Sequence, residues 1–258
     1  MISIQMYTLR ESMKTKEQLA DTLAKVADMG YNSVQITTPG YITPVDLAKL
    51  LSAHGLSADS SLCPLYQIPD KIDDACAAAK ALGTDVVRTD SIAAADRFSL
   101  EGYHKAAEHL NRCGKLLHER GYKFMYHFHA FEWISLGDTR GMDILLSETD
   151  PETVWFQPDV FWLTSAGLEP SAALEKFAGR MQYMHLKDYT VVASGTAVLE
   201  TTKSASAPVG TGNLCWERIL PAAKKLGVTN FVVEDDMGVL DPFESAAISC
   251  KNLQAMLG

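Results

Sequence analysis

One pattern recurs along the chain. A segment with helical spacing of apolar residues ends at a glycine, and a short run rich in Val, Ile and aromatic residues follows within a few positions. AKVADMGYNSVQI, LLSAHGLSADSSL, AAAKALGTDVVRT, GKLLHERGYKFMYH and AAKKLGVTNFVVE all read this way, with the turn at Gly30, Gly55, Gly83, Gly121 and Gly227. Glycine just past a helix end takes the left-handed conformation at little steric cost. The runs after it suit buried parallel strands.

Eight strand-like runs are predicted, near 2–6, 33–36, 56–62, 85–89, 123–129, 153–158, 181–187 and 229–234. The clearest helical patterns between them cover 16–29, 44–54, 71–82, 101–120, 213–226 and 242–257. Eight strand–helix units in a chain of this length predict an α/β fold, a (β/α)8 TIM barrel with residues 1–258 as a single domain. A doubly wound open sheet is the alternative. It would carry a glycine-rich phosphate loop after its first strand, and QMYTLRES contains no glycine. Two segments break the rhythm: SLCPLYQIPD (61–70), and the polar, small-residue stretch 190–212, a candidate lid beyond the seventh strand.

Composition narrows the partners. Of 258 residues, 47% are hydrophobic, enough for one large core. The net charge of −9 and the absence of any Lys/Arg run exclude nucleic acid as the expected partner. Five scattered cysteines, none in a CxxC pair, read as reduced thiols of a cytoplasmic protein. MISIQMYTLRES lacks the marks of a signal peptide, and no apolar run is long enough to span a membrane.

In a barrel, chemistry gathers at the C-terminal ends of the strands. The fifth strand ends in His127 and His129, with Glu132 in the loop beyond. The sixth ends in Asp159, the seventh in His185 followed by Lys187 and Asp188, and the eighth in Glu234 followed by Asp235 and Asp236. Strand periodicity sets His127 and His129 on one face, and His185 and Lys187 on one face. Two carboxylates and two neutral imidazoles offset a divalent cation. Mixed nitrogen and oxygen donors suit Mn2+, Co2+, Fe2+ or Zn2+ better than Ca2+. Without a cation, burying two carboxylates together is costly.

The segments YHFHAFEW, QPDVFWLTSAG, MHLKD, VGTGNLCW and VVEDD together resemble the motif run of the sugar phosphate isomerase/epimerase family, the xylose isomerase-like barrels. The resemblance covers essentially the whole chain. It implies a divalent metal at the barrel mouth, held by one side chain from each of the last four strands: His127, Asp159, His185 and Glu234. Manganese is the first expectation, with Co2+, Mg2+, Fe2+ and Zn2+ as alternatives. The family's usual first ligand is a glutamate, and here His127 stands in its place. The two-glutamate proton exchange of the family's ketose 3-epimerases therefore lacks one of its pair. Glu132, close by, is the candidate to take over part of that role.

Each residue also has a plainer reading. His127 alone would be a satisfied core histidine, Asp159 a helix cap, Glu132 a cap of the next element, Lys187 a surface lysine paired with Asp188, and Tyr7 and Trp162 packing aromatics. Gln35, alone in the apolar run SVQI, is a candidate hydrogen-bond partner of substrate or of a ligand. VGTG at 209–212 reads as a turn or as a phosphate-binding loop. His54, His104, His109 and His118 fall on helices and read as surface or packing residues.

A metal bound to a carbonyl and a neighbouring hydroxyl acidifies the C–H between them by stabilising the enediolate. The leading expectation is a metal-dependent isomerase or epimerase of carbohydrate metabolism, acting on a sugar or sugar derivative. In it Glu234 or Glu132 abstracts the proton, and His129 and Lys187 orient oxygens. The alternatives are a dehydratase or lyase on a keto-polyol, a non-catalytic sugar-binding barrel, and a hydrolytic nuclease, which would want more ligands from the early strands. A small-molecule partner is expected, with no nucleic acid and no membrane. A homo-oligomer is compatible with the sequence.

Overall fold

The computed structural model describes residues 1–196 and 201–258. Eight parallel strands form its centre: β1 (Ile2–Gln5), β2 (Ser33–Ile36), β3 (Ser57–Leu62), β4 (Val86–Thr89), β5 (Lys123–His127), β6 (Val154–Gln157), β7 (Tyr183–Leu186) and β8 (Asn230–Val233). They pair in the order β6–β5–β4–β3–β2–β1–β8–β7. The remaining seam, β6 to β7, closes through a bridge between Asp159 and His185, with the His185 N–H donating to the Pro158 carbonyl at 2.8 Å. Pro158 has no N–H to return, so this seam is thin. The result is a nearly closed TIM barrel.

The helices are α1 (Lys16–Asp28), α2 (Pro44–Ala53), α3 (Ile72–Leu82), α4 (Leu100–His118), α5 (Gly141–Glu148), α6 (Val160–Ser165), α7 (Pro170–Ala173), α8 (Trp216–Lys225) and α9 (Pro242–Leu257). Side-chain caps start several of them. Thr15 accepts the Gln18 N–H, Ser99 the Gly102 N–H, and Asp241 the N–H groups of Phe243 and Glu244. All five glycines predicted to end helices have positive φ. The six predicted helices match within three residues. Helices α5, α6 and α7 left no mark in the hydrophobic pattern, because they are too short to display a period. Among the described residues no helix is long and apolar enough to cross a membrane.

The apolar core lies between strands and helices. The barrel interior is instead polar: Ser3, Gln5, Gln35, Asp59, Arg88, Gln157 and His185 are all buried. Hydrogen bonds join strands that are not neighbours. Ser3 Oγ on β1 donates to Asp59 Oδ2 on β3 at 2.8 Å, and His185 Nε2 on β7 meets Gln35 Oε1 on β2 at 2.7 Å. Such bonds can only cross the lumen.

The candidate lid is partly ordered structure. Asp188–Ala193 and Thr202–Ala207 pair as an antiparallel ribbon, and residues 197–200 lie outside the described residues. Ser206 ties the ribbon to the loop after β8. Its hydroxyl donates to the Asp235 carboxylate and accepts the Met237 N–H.

Candidate functional site

The ends of β5 to β8 bring the predicted ligands together. His127 is the last residue of β5, and its Nδ1 faces the Gln157 carbonyl at 3.3 Å. Asp159 lies just past Pro158 in extended backbone and splits its duties. Oδ1 caps α6, accepting the N–H groups of Phe161 (2.8 Å) and Trp162 (3.3 Å). Oδ2 points inward, 3.7 Å from His185 Nδ1, and has no hydrogen-bond partner. The cap reading of Asp159 is therefore met by one oxygen, and the other is left free to face the cluster. One donor atom each from His127, Asp159 and His185 fall within 4.8 Å of one another. Glu234 Oε2 joins them at 3.5 Å from His185 Nδ1, but is drawn closer, to 2.8 Å, by the Lys187 ammonium.

These residues fit a divalent cation. His185 Nδ1 and Asp159 Oδ2 are buried, lack hydrogen-bond partners and face the same point. Two nitrogens and two carboxylate oxygens are available, a donor set that borderline dications take readily.

Electrostatics differentiate the side chains. Burial, reinforced by the neighbouring imidazoles, holds His127 well below the usual histidine range, so it is neutral and able to ligate. Burial also lowers His129. For His185, burial opposes the charged form, but Glu234 and Asp159 outweigh it and lift the imidazole to about 9. Glu234 is pulled well below the usual carboxylate range against the effect of burial, by Lys187 and then His185. Lys187 was open to a surface reading, yet it is fully buried. It pairs with Glu234 (2.8 Å) and Asp236 (2.7 Å), and those carboxylates raise it despite burial.

A cavity of about 310 Å³ opens onto this cluster. Tyr7 and Trp162 line it, as do His129 and Lys187, which lie just beyond their strands rather than within them. The Trp162 ring is close to both of the last two: its centroid is 5.4 Å from the His129 ring and 5.2 Å from Lys187 Nζ. Arg88 and Asp90 also line the cavity as an ion pair, and sequence reasoning missed both. The signal was present, since Arg88 is a lone charge in the apolar run DVVRT, as Gln35 is a lone amide in SVQI.

Glu132 and the VGTG turn both take partners within the fold. Glu132 does not line the cavity. It is fully buried beside the strand, where one oxygen takes the Tyr126 hydroxyl and the other takes the His129 N–H at 2.9 Å. Tyr126 neighbours His127 on β5, and strand alternation turns it to the opposite face, so Glu132 is held away from the lumen. Burial raises Glu132 to about 7. A carboxyl shifted up from 4.5 favours folding while it stays protonated, and that advantage fades as pH rises from about 4.5 to about 7. Relative to wild type, Glu132→Gln should gain about 3 kcal/mol of stability across that window, read by urea unfolding at a series of pH values. A pH-independent difference would contradict this.

The VGTG turn does not hold a free anion, because Asp188 fills it. Oδ2 accepts N–H groups from Gly210 (2.9 Å), Gly212 (3.0 Å) and Trp216 (Nε1, 2.7 Å). Oδ1 accepts those of Tyr189 (2.8 Å) and Leu214 (3.1 Å). Asp188 thus binds the turn rather than Lys187. A β-carbon on residue 212 would lie 2.4 Å from Asp188 Oδ1, which explains the glycine. Asp188→Asn would aim an amino group at two or three of these donors. It should destabilise the protein by more than about 4 kcal/mol in chemical denaturation.

The fold and the ligand cluster define a class. Residues 23–237 match the family model described as xylose isomerase-like TIM barrel, and the chain belongs to that family. Among curated proteins it is similar to inosose dehydratase 2 of Bacillus cereus, 29% identical over 171 residues. That match covers 62% of this chain and 57% of the relative, so the chain spans little more than half the length of that protein. Among solved structures, a sugar phosphate isomerase/epimerase from Parabacteroides distasonis ATCC 8503 superposes with a TM-score of 0.81 at 20% identity, covering 98% of this chain and 93% of the other. A probable 3-DHS dehydratase from Bacillus anthracis superposes at 0.73 with 13% identity, covering 98% of each. At these identities the two structures establish the fold alone.

Proposed function

We propose that the protein is a divalent-metal-dependent enzyme that removes a proton beside the carbonyl of a polyhydroxy ketone, and that dehydration of a keto-polyol is the reaction its site fits best. The epimerase expectation yields first place for a stereochemical reason. Epimerisation by proton exchange needs a base on each face of the reacting carbon. His127 occupies the position of one carboxylate, Glu132 is turned to Tyr126, and Glu234 is tied to Lys187. Syn elimination needs one base, which can return its proton to the leaving hydroxyl, and a cation to hold that hydroxyl. The observation that carries the reading is that a neutral histidine, His129, and a buried ammonium, Lys187, line one cavity and both approach the Trp162 ring. The name of the Bacillus cereus relative supports the same class of chemistry.

His127, Asp159, His185 and Glu234 would hold the metal, Mn2+ by preference. When bound, a dication supplies Lewis-acid stabilisation of the charge that develops on the carbonyl oxygen. The lowered pKa of His129 leaves it unprotonated at neutral pH, and its side chain lines the cavity, so it serves as the general base. Glu234, held well below the usual range, is too weak a base for the role first assigned to it. The proton on the carbon passes to His129, the C–H pair becomes the new C=C bond, and the β-hydroxyl, held by the Lys187 ammonium, departs as water with the proton that His129 returns. Trp162 and Tyr7 offer flat faces to the C–H side of the substrate.

The test is incubation of Mn2+-loaded protein with a panel of ketoses and keto-inositols in D2O, followed by NMR. Loss of water with formation of an enol or deoxyketone product is expected. Deuterium returned to an intact ring would restore the epimerase reading. Failure to bind metal, with no exchange on any substrate, would favour the sugar-binding barrel.

A further inference from the structure

We infer that Gln35 is a positioning residue that fixes the tautomer of His185, placing the proton on Nε2 and the lone pair of Nδ1 toward Asp159 and Glu234. This rests on the metal-site reading above. Gln35 touches neither the carboxylates of the cluster nor the other ligand histidine. It lies on β2, across the lumen from His185, and it is fully buried.

The argument turns on which end of the Gln35 amide faces the histidine. Its chemistry is decided from two independent directions. On one side stands Asp59, buried, with Ser3 Oγ donating to Oδ2 at 2.8 Å and Ser60 Oγ donating to Oδ1 at 2.8 Å. Gln35 Nε2 lies 3.3 Å from the same Oδ1. A carboxylate already taking two hydroxyl donors accepts from an NH2 group and repels a carbonyl oxygen. The amino end of Gln35 therefore faces Asp59. On the other side, Gln5 Oε1 receives the backbone N–H of Tyr7 at 3.3 Å. A backbone N–H only donates, so Gln5 presents its amino group to Gln35, and that group reaches Gln35 Oε1 at 3.2 Å. Both chains of bonds make Gln35 Oε1 an acceptor. Its remaining neighbour, His185 Nε2 at 2.7 Å, must then carry the hydrogen.

Backbone structure supports this placement. The β2–β3 register shifts between Val34 and Ile36, which pair with Ala58 and Ser61 respectively. β3 thus carries one extra residue opposite Gln35, within the stretch holding Asp59 and Ser60. A bulge next to a site re-aims side chains, and here Asp59 is delivered to Gln35. With Nε2 protonated, the lone pair of a neutral His185 lies on Nδ1, the nitrogen 3.7 Å from Asp159 Oδ2 and 3.5 Å from Glu234 Oε2. The opposite tautomer would present an N–H to the point where the ligand atoms meet, and would set two lone pairs against each other at 2.7 Å from Gln35. Partners of this kind typically change metal affinity by about 10- to 100-fold when removed.

The test separates tautomer from metal binding. Metal-free, 15N-histidine-labelled protein at pH 10 is examined by long-range 1H–15N correlation. His185 should show a protonated Nε2 and an unprotonated Nδ1, and Gln35→Leu should show a mixture. Calorimetric titration with Mn2+ alone should find Gln35→Leu weaker by about 10- to 100-fold. The double variant Q35E/D59N, which keeps an acceptor toward His185 and a donor toward the new carboxylate, should recover most of that loss. A protonated Nδ1 in the wild-type spectrum, or Gln35→Leu with unchanged tautomer and unchanged Mn2+ affinity, overturns the inference. Wild-type protein that binds no Mn2+ would instead remove the metal-site reading, and the spectrum would still decide the tautomer.

Discussion

His129→Gln should reduce turnover by about 100- to 10,000-fold while leaving Mn2+ affinity within roughly threefold of wild type. The size follows from what a positioned general base contributes, and the selectivity from where His129 stands. It reaches the cavity beside Trp162, whereas the four ligand candidates come from His127, Asp159, His185 and Glu234. Its backbone N–H holds Glu132, and that bond survives the substitution, so the loop keeps its shape. The comparison should be made with Lys187→Met, in which loss of the ammonium that holds the leaving hydroxyl lowers turnover and also frees Glu234. Loss of Mn2+ binding in His129→Gln would make this residue a ligand. Unchanged turnover would return the base to Glu234.

Mn2+ affinity should weaken about tenfold for each unit the pH falls below about 9, and so about a hundredfold between pH 8 and pH 6. The sign follows from His185. Its carboxylate neighbours hold it protonated up to about 9 in the metal-free protein, and a ligand nitrogen must shed that proton before it binds. No second proton competes in this range. Burial keeps His127 neutral, and the Lys187 and His185 charges keep Glu234 ionised. Titrations in buffers of different ionisation enthalpy should therefore count close to one proton released per ion. The same shift acts on the metal-free fold. Protonation of His185 stabilises it fully below 6.5, and that contribution is lost as pH rises through about 9. Affinity that stays flat from pH 6 to 8, with no proton released, would show that His185 does not meet the metal through Nδ1.

Lys187 illustrates why the site resists reading by residue type. In MHLKD it follows a strand and precedes an acid, as countless surface lysines do. In the fold it is fully buried, paired with Glu234 from β8 and with Asp236 beyond it. Asp188, its apparent partner, instead faces five N–H groups, among them the amides of the VGTG turn some two dozen residues later. Lys187 stands between the end of β7 at Leu186 and the ribbon that starts at Asp188, so the two side chains answer to different elements. Glu132 shows the same effect from a loop: near to His127 in the chain, it is captured by Tyr126 on the outer face.

The barrel is legible in the chain because a repeated local signal specifies it: apolar runs of strand length, helical periodicity and glycines at helix ends each act over a few residues. The set of ligand candidates is legible too, since parallel strands in a barrel all end at one rim and a side chain at each end must meet the others there. Other facts emerge only once the strands are assembled. These are which oxygen of Asp159 caps a helix and which faces His185, that Arg88 and Asp90 reach the cavity, and that Gln35 crosses the lumen to His185. They depend on distances between strands that are far apart in the chain. Such distances follow from barrel closure and from the bulge in β3, and no short stretch of residues encodes them.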